Sequence, residues 1–269
     1  MPDQQLESRI GMNLARRAYL YDLLHAAFGG NCSPDFVAKL FGSQAREMFT
    51  CEAAVISDGD LSVDSKCALA KMDRSLDDCA REVLACYDEH GDLSSDAVLA
   101  TASEMGGDYA KLFQIPGDCY VHMWESPYVG TEQTLFQCST LDVRAAYHAA
   151  GLKLQAEKQF PDDHIAAMLG YLSCMGSRAY EAYADGRDSE CRKALQDSKA
   201  FLEAHVLTWA NAFAQKVIER DARGLYAAFA QGIVMVAHVD SVQLDWLMGH
   251  IGEKGLRWTF GNTRKHSTR

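Results

Sequence analysis

Gln159-Phe160-Pro161-Asp162-Asp163-His164 stands directly before a strongly periodic helical pattern. From His164 onward the apolar residues Ile165, Met168, Leu169, Leu172, Met175, Ala179 and Tyr183 trace one face of a 3.6-residue repeat. Pro161 cannot continue a preceding helix, and it biases Phe160 toward an extended backbone. Asp162 or Asp163 is the expected N-cap, accepting bonds from the free N–H groups of the new helix. Two carboxylates and an imidazole are thus bunched where a helix start presents unused donors and partial positive charge. These residues either cap and pack the helix or bind something there.

The rest of the composition points the same way. A chain of 269 residues, 48% hydrophobic, can bury a substantial core as one large domain or two closely packed halves. Prolines number only five, and alternating runs of Val, Ile and Thr are nearly absent, so the expected fold is all-α, with about eight to eleven helices. The net charge of −11 argues against nucleic acid or an anionic membrane and favours basic ligands. The nine cysteines include no C-x-x-C pair, so no zinc or iron site and no disulfide is expected; the odd, scattered set fits reduced thiols in the cytoplasm.

Near the N-terminus, Arg16-Arg17-Ala18-Tyr19-Leu20 superficially resembles a twin-arginine export signal, but Asp22 and His25 interrupt the apolar stretch such a signal needs. Leu6, Ile10, Leu14, Tyr21, Leu24 and Phe28 instead mark an amphipathic helix closed by Gly29-Gly30. Ser33-Pro34 opens a second helix, and Ser57-Asp58-Gly59-Asp60 reads as a turn. A third helix is expected from near Lys66 to Tyr87, ended by His90-Gly91-Asp92. The next starts at Ser94-Ser95-Asp96 and runs to Leu112-Phe113, with a kink or break expected at Gly106-Gly107. Thr131 to Ala150 reads as helix in two pieces split near Ser139-Thr140.

After Asp185-Gly186-Arg187-Asp188, helix carries Leu195, Leu202, Val206, Trp209, Phe213 and Val217 on one face, with His205 one turn before Trp209. The last helix spans Gly224 to His250, with a break expected at Asp240-Ser241; its longest apolar run, Gly232 to Val239, is too short to cross a bilayer. The expected domain is 1–256, with halves 1–150 and 160–256 as the alternative division, followed by a loose basic tail, 257–269.

One segment inside this pattern is long and unpatterned, Ile115 to Gly130, and loops of that length in compact helical domains are often functional. It carries Tyr120, Trp124 and Tyr128, which either grip a partner or fold back into the core. P-loop, dinucleotide-turn, H-E-x-x-H and nucleophile-elbow motifs are all missing from the sequence. Asp162, Asp163, His164 and His205 form the one candidate metal set, that of a helical hydrolase. The helix start near His164 also suits an anion such as a nucleotide.

The order Tyr109-x-x-Leu112-Phe113, Trp124-Glu125-Ser126-x-Tyr128, Tyr147-x-x-x-Gly151, Pro161-x-Asp163-His164 and His205-x-x-x-Trp209 resembles the TorD family of redox-enzyme maturation chaperones, which includes the delta-type assembly proteins of nitrate reductases. The resemblance covers roughly residues 109 to 213. Phe160 stands where the family hallmark has Glu. The resemblance implies a TorD-like, all-helical, cytoplasmic chaperone without catalytic turnover. Its partner would be the catalytic subunit of a molybdopterin-dependent oxidoreductase and that subunit's twin-arginine leader peptide, held until cofactor insertion and assembly are complete. Trp124, Glu125, Ser126, Tyr128, Pro161, Asp163 and His164 would contact the peptide, with Tyr109, Phe113, Tyr147, His205 and Trp209 in support. No cofactor is expected beyond an optional weak guanine nucleotide, and the protein would be a monomer or dimer without stable membrane insertion. The nearest alternative is an assembly subunit that holds only the folded body of its client.

Overall fold

The computed structural model describes residues 2–57, 75–91, 93–130, 138–154 and 161–252. Most of the turn at Ser57–Asp60, the helix start near Lys66, Asp92, the first residues of the Thr131 helix, Gln159-Phe160 and the basic tail lie outside the described residues. The described residues are mainly helical and contain no named strand. The elements are α1 (Pro2–Phe28), α2 (Pro34–Leu40), α3 (Ser43–Ser57), α4 (Leu76–His90), α5 (Ser95–Tyr109), the short α6 (Ser126–Val129), α7 (Cys138–Ala149), α8 (Ile165–Ala184), α9 (Asp188–Phe201), α10 (Ala210–Arg220) and α11 (Leu225–His250). Two π-helical turns, Ala110–Gln114 and Leu202–Val206, continue α5 and α9.

Helix starts follow the capping residues closely. Ser33, Ser75 and Ser94 each turn a side-chain oxygen onto the N–H three residues on, at Phe36, Asp78 and Ala97. The buried apolar faces merge into one contiguous cluster. Within it Phe28 meets Phe113, Phe213 and Tyr226 with ring centres 5.9, 5.7 and 5.9 Å apart, distances suited to edge-to-face attraction.

The α1–α8 pair is the most extensive helix contact, and α8 packs in turn on α9. Small residues let the two backbones approach: a Cβ added at Gly176 would lie 3.1 Å from the Ala18 Cα. Helix α11 is covered on most sides by α1, α3, α4, α9 and α10. Taken whole, α11 is long and apolar enough to cross a membrane, which the shorter run Gly232–Val239 had not suggested, but most of its surface is buried inside the protein. That burial makes it the core helix.

Three expectations about continuity change. Helix α11 runs unbroken through Asp240-Ser241, because Asp240 is buried as the ion-pair partner of Arg17. Helix α5 runs through Gly106-Gly107, a cost of roughly 1 kcal/mol per glycine that the packing of Met105 on the same helix outweighs. Helix α7 begins at Cys138, so the piece expected before Ser139-Thr140 lies outside the described residues. The face from Leu195 to Val217 is divided between α9 and α10 by the π turn and the bend that follows it, up to Trp209.

Candidate functional site

The long loop and the start of α8 meet. Trp124 and His164 form an isolated antiparallel bridge, closed by Glu125 N–H to Asp163 O (3.0 Å) and Ile165 N–H to Met123 O (2.7 Å). The strip leading into it alternates: Val121 and Met123 are buried, while Tyr120, His122 and Trp124 are half-buried on the other side. Further along, Tyr128 stacks near Trp209 with ring centres 5.0 Å apart and donates its hydroxyl to the His122 carbonyl (2.8 Å).

The two aspartates do not cap α8. His164 does: its Nδ1 accepts from the Ala166 N–H at 3.2 Å. Burial, reinforced by neighbouring His25, lowers the His164 pKa to about 4, so the ring is neutral and Nδ1 keeps the lone pair a cap needs. His25 in turn donates its own Nδ1–H to the Ala166 carbonyl at 2.7 Å, so two histidines clasp one residue of the first turn. With the caps assigned to imidazole, the carboxylates are free to tie other segments. Asp163 Oδ2 accepts from the Ser126 N–H (2.9 Å) and from its hydroxyl. Asp162 Oδ2 receives Arg144 Nε at 2.9 Å, and the Asp162 carbonyl takes the Tyr147 hydroxyl at 3.0 Å. Because the Ile165 and Ala166 N–H groups are already bonded, the start of α8 offers little to the anion that helix starts attract.

A second knot lies beside the first. Glu125 Oε2 is 3.2 Å from His205 Nδ1, and Trp209 Nε1 donates to the His205 carbonyl at 2.5 Å. Burial raises the Glu125 pKa, and the hydrogen bond from His205 opposes that shift. Of the remaining supporting residues, Tyr109 donates to the Phe28 carbonyl at 3.1 Å and Phe113 packs on Phe28 and Tyr226.

The motif residues therefore converge, but inward. Asp163 and Ser126 are 0% exposed, Glu125 2% and His164 6%, and Pro161 is buried too; of the expected peptide contacts only Trp124 and Tyr128 retain half-buried surface. A leader arginine has no open path to Asp163 in this arrangement. Nor do Asp162, Asp163, His164 and His205 form a metal set, since Asp162 turns to Arg144, Asp163 to Ser126 and His205 to Glu125; no metal-holding group of three such side chains exists among the described residues.

What the sequence did not flag is a cleft of about 580 Å³ flanking this node, lined by His25, Tyr147, Leu152, Leu154, Ala167 and Tyr171 among others. Tyr147 and His25 join it directly to Asp162 and Ala166. Asp22 stands in the same lining, half exposed and paired with Lys39. The alternation Leu152-x-Leu154 after Gly151 was the available signal.

A protein-family model described as nitrate reductase delta subunit matches residues 70–215. The Chaperone protein TorD of Vibrio cholerae is 31% identical over 106 residues, covering 39% of this chain and 47% of that one. That of Photobacterium profundum is 30% identical over 142 residues, 52% of this chain and 64% of the relative. That of a Shewanella species is 24% identical over 246 residues, 90% of this chain and 99% of the relative. The chain thus spans about half the length of the Vibrio cholerae relatives it matches. No solved structure matches.

Proposed function

The chain belongs to the nitrate reductase delta subunit family, and from that premise we propose that it is an assembly chaperone for a molybdopterin-dependent oxidoreductase. It works by binding, without turnover. Its client is the catalytic subunit before cofactor insertion, together with the twin-arginine leader of that subunit, and it acts in the cytoplasm. The observation that carries this reading is where the family match falls: residues 70–215 include the Trp124–His164 bridge, the Asp163 node and most of the cleft lining. The relatives named as TorD chaperones support the same kind of activity.

The 580 Å³ cleft is the place for the apolar stretch of the client peptide. Leu152, Leu154, Ala167 and Tyr171 offer it apolar surface, and contact of this kind supplies most of the affinity in peptide grooves. Trp124, Glu125, Ser126, Tyr128, Pro161, Asp163 and His164 act one step back. Through the bridge and the Ser126–Asp163 bonds they fix the wall against which the peptide lies. No cofactor enters this reading, and weak guanine nucleotide binding would be an addition to it.

Calorimetric titration with a leader peptide, two arginines followed by an apolar stretch, tests the assignment. Ala167→Glu places a carboxylate in the cleft at a half-buried position in the first turn of α8, where the helix tolerates an acid. It is expected to weaken the peptide about tenfold or more with melting little changed. Asp163→Asn is expected to bind within about twofold of wild type, since the amide oxygen can still accept from Ser126. Equal affinity of wild type and Ala167→Glu would move the client elsewhere. If the catalytic subunit is captured as well without its leader as with it, the assembly subunit that holds only the folded body is the better description.

A further inference from the structure

Helix α10 carries two cations one turn apart, Lys216 and Arg220, on its half-buried flank. Several cations of this acidic chain are matched to carboxylates: Arg144 to Asp162, Arg223 to Glu104, Lys193 to Asp197 and Lys199 to Asp245, while Arg178 and Arg192 bond backbone carbonyls. Lys216 and Arg220 have no carboxylate partner among the described residues. The Lys216 ammonium sits 4.4 Å over the centre of the Tyr128 ring, and Arg220 gives one guanidinium N–H to the Tyr120 carbonyl. The nearest acid on the helix, Glu219, is bonded instead to Gln215 at 3.0 Å.

Both cations face the outward side of the extended strip. There the rings of Tyr120, His122 and Trp124 form a ladder, with centres 5.0 and 5.1 Å apart in sequence. Burial, then Lys216 and Arg220, hold the His122 pKa below the usual imidazole value. Val129, exposed beside Tyr128, extends the apolar part of the surface.

We propose that Lys216, Arg220 and the Tyr120–His122–Trp124 edge form a second docking surface, one that takes an extended acidic segment of a partner protein. Two carboxylates on alternate residues of an extended chain stand about 6–7 Å apart, close to the rise of about 6 Å between the backbone positions of two residues four apart on a helix. The side chain between them points to the opposite face of the extended chain, so the two cations carry the specificity. A phosphate fits less well. The cations lie in the last two turns of α10, where no N-terminal amides are free to complete a phosphate's set of donors. This surface is separate from the cleft and prefers the opposite charge to a twin-arginine leader.

The test uses the full chain and a short labelled peptide with glutamate at alternate positions and leucine between, set against the same peptide with glutamine. Fluorescence anisotropy is expected to show the glutamine peptide binding about tenfold more weakly. Lys216→Gln removes a charge whose contact here is to a ring face, so melting should hold while glutamate-peptide affinity falls about five- to tenfold and becomes less salt-dependent. Arg220→Gln should do the same with some loss of stability, because it also releases the Tyr120 carbonyl. Equal binding of the two peptides, or no effect of Lys216→Gln, overturns the proposal. So does inorganic phosphate binding that depends on Lys216 when the glutamate peptide does not bind. Leader affinity should be unchanged in Lys216→Gln, so the failure of this surface and the failure of the cleft read out separately.

Discussion

Arg17 and Asp240, from opposite ends of the chain, meet as a buried two-pronged pair. Arg17 Nε lies 2.9 Å from Oδ1 and Nη2 3.1 Å from Oδ2, and the Tyr21 hydroxyl adds a third bond to Oδ2 at 2.9 Å. Removing one partner leaves the other charged and unmatched between α1 and α11, which typically costs about 3–5 kcal/mol. Asp240→Ala should therefore lower the melting temperature by on the order of 10 °C. The double replacement Arg17→Met with Asp240→Leu should recover most of that loss, because burying two charges was itself costly. If the double variant melts no higher than Asp240→Ala, then packing rather than the orphaned charge explains the loss.

The neighbouring Glu52 predicts a pH dependence. Its carboxylate is buried 2.8 Å from Arg16 Nε, and burial outweighs that cation, raising its pKa to about 7. The folded state therefore holds this proton more tightly than the unfolded chain, whose carboxyl keeps the ordinary value of 4.5. The resulting stabilisation is full below about 4.5 and is lost as pH rises through about 7. Its size is on the order of 3 kcal/mol. Urea unfolding should show stability falling from pH 5 to pH 7.5 in wild type, with a shallower fall in Glu52→Gln. Parallel pH profiles for the two proteins would show that Arg16 keeps Glu52 ionised throughout.

The Glu125–His205 contact can be isolated by a double-mutant cycle. His205→Ala removes the neighbour that offsets the burial of Glu125 and should cost about 1–3 kcal/mol. In a Glu125→Gln background the same change should cost less, because the orphaned group is then neutral. A coupling energy of at least about 0.5 kcal/mol is expected from chemical denaturation. Additive costs would leave His205 with a packing role alone, through its ring contact with Phe201.

Much of this fold follows from residue order alone, and the boundary is physical. Helix faces such as Ile165–Met168–Leu172 can be read because burial imposes a period on neighbouring residues. Serine caps read well because the capping bond is local. The meeting of the Trp124 strip with the start of α8 was legible only as a motif order. Pair identities were not: the partner of Arg17 is Asp240, which in sequence looked like a helix break. The cap at α8 was misread for a related reason. Asp162 and Asp163 are better intrinsic caps than His164, but Arg144 and Ser126, brought in from elsewhere in the chain, claim them first. That same capture turned an expected binding surface into a buried frame, and the cleft beside it depends on residues too plain to attract notice in sequence.

Glycine to alanine should have opposite signs at two helical sites. At Gly107 in α5 an added Cβ meets nothing within 4 Å, so Gly107→Ala gains helix propensity without a clash and should stabilise by up to about 1 kcal/mol. At Gly176 in α8 the added Cβ would sit 3.1 Å from the Ala18 Cα and 3.3 Å from its nitrogen. Those are backbone atoms, and no rotamer change can move them aside. The Ala18 carbonyl is further held by the Ser173 hydroxyl at 3.3 Å. Relief requires α1 and α8 to separate along their most extensive contact, and overpacking of that kind costs about 1–3 kcal/mol. This exceeds the propensity gain, so Gly176→Ala should melt lower than wild type while Gly107→Ala melts higher. Gly170→Ala adds a diagnostic case, since its Cβ would lie 2.9 Å from His25 Nδ1, at the end of a side chain that can rotate. It should cost less than Gly176→Ala but should break the His25–Ala166 bond and disturb the cleft, so leader affinity should fall further than stability does. If all three variants melt alike, the close approach of α1 and α8 is softer than the backbone contact implies.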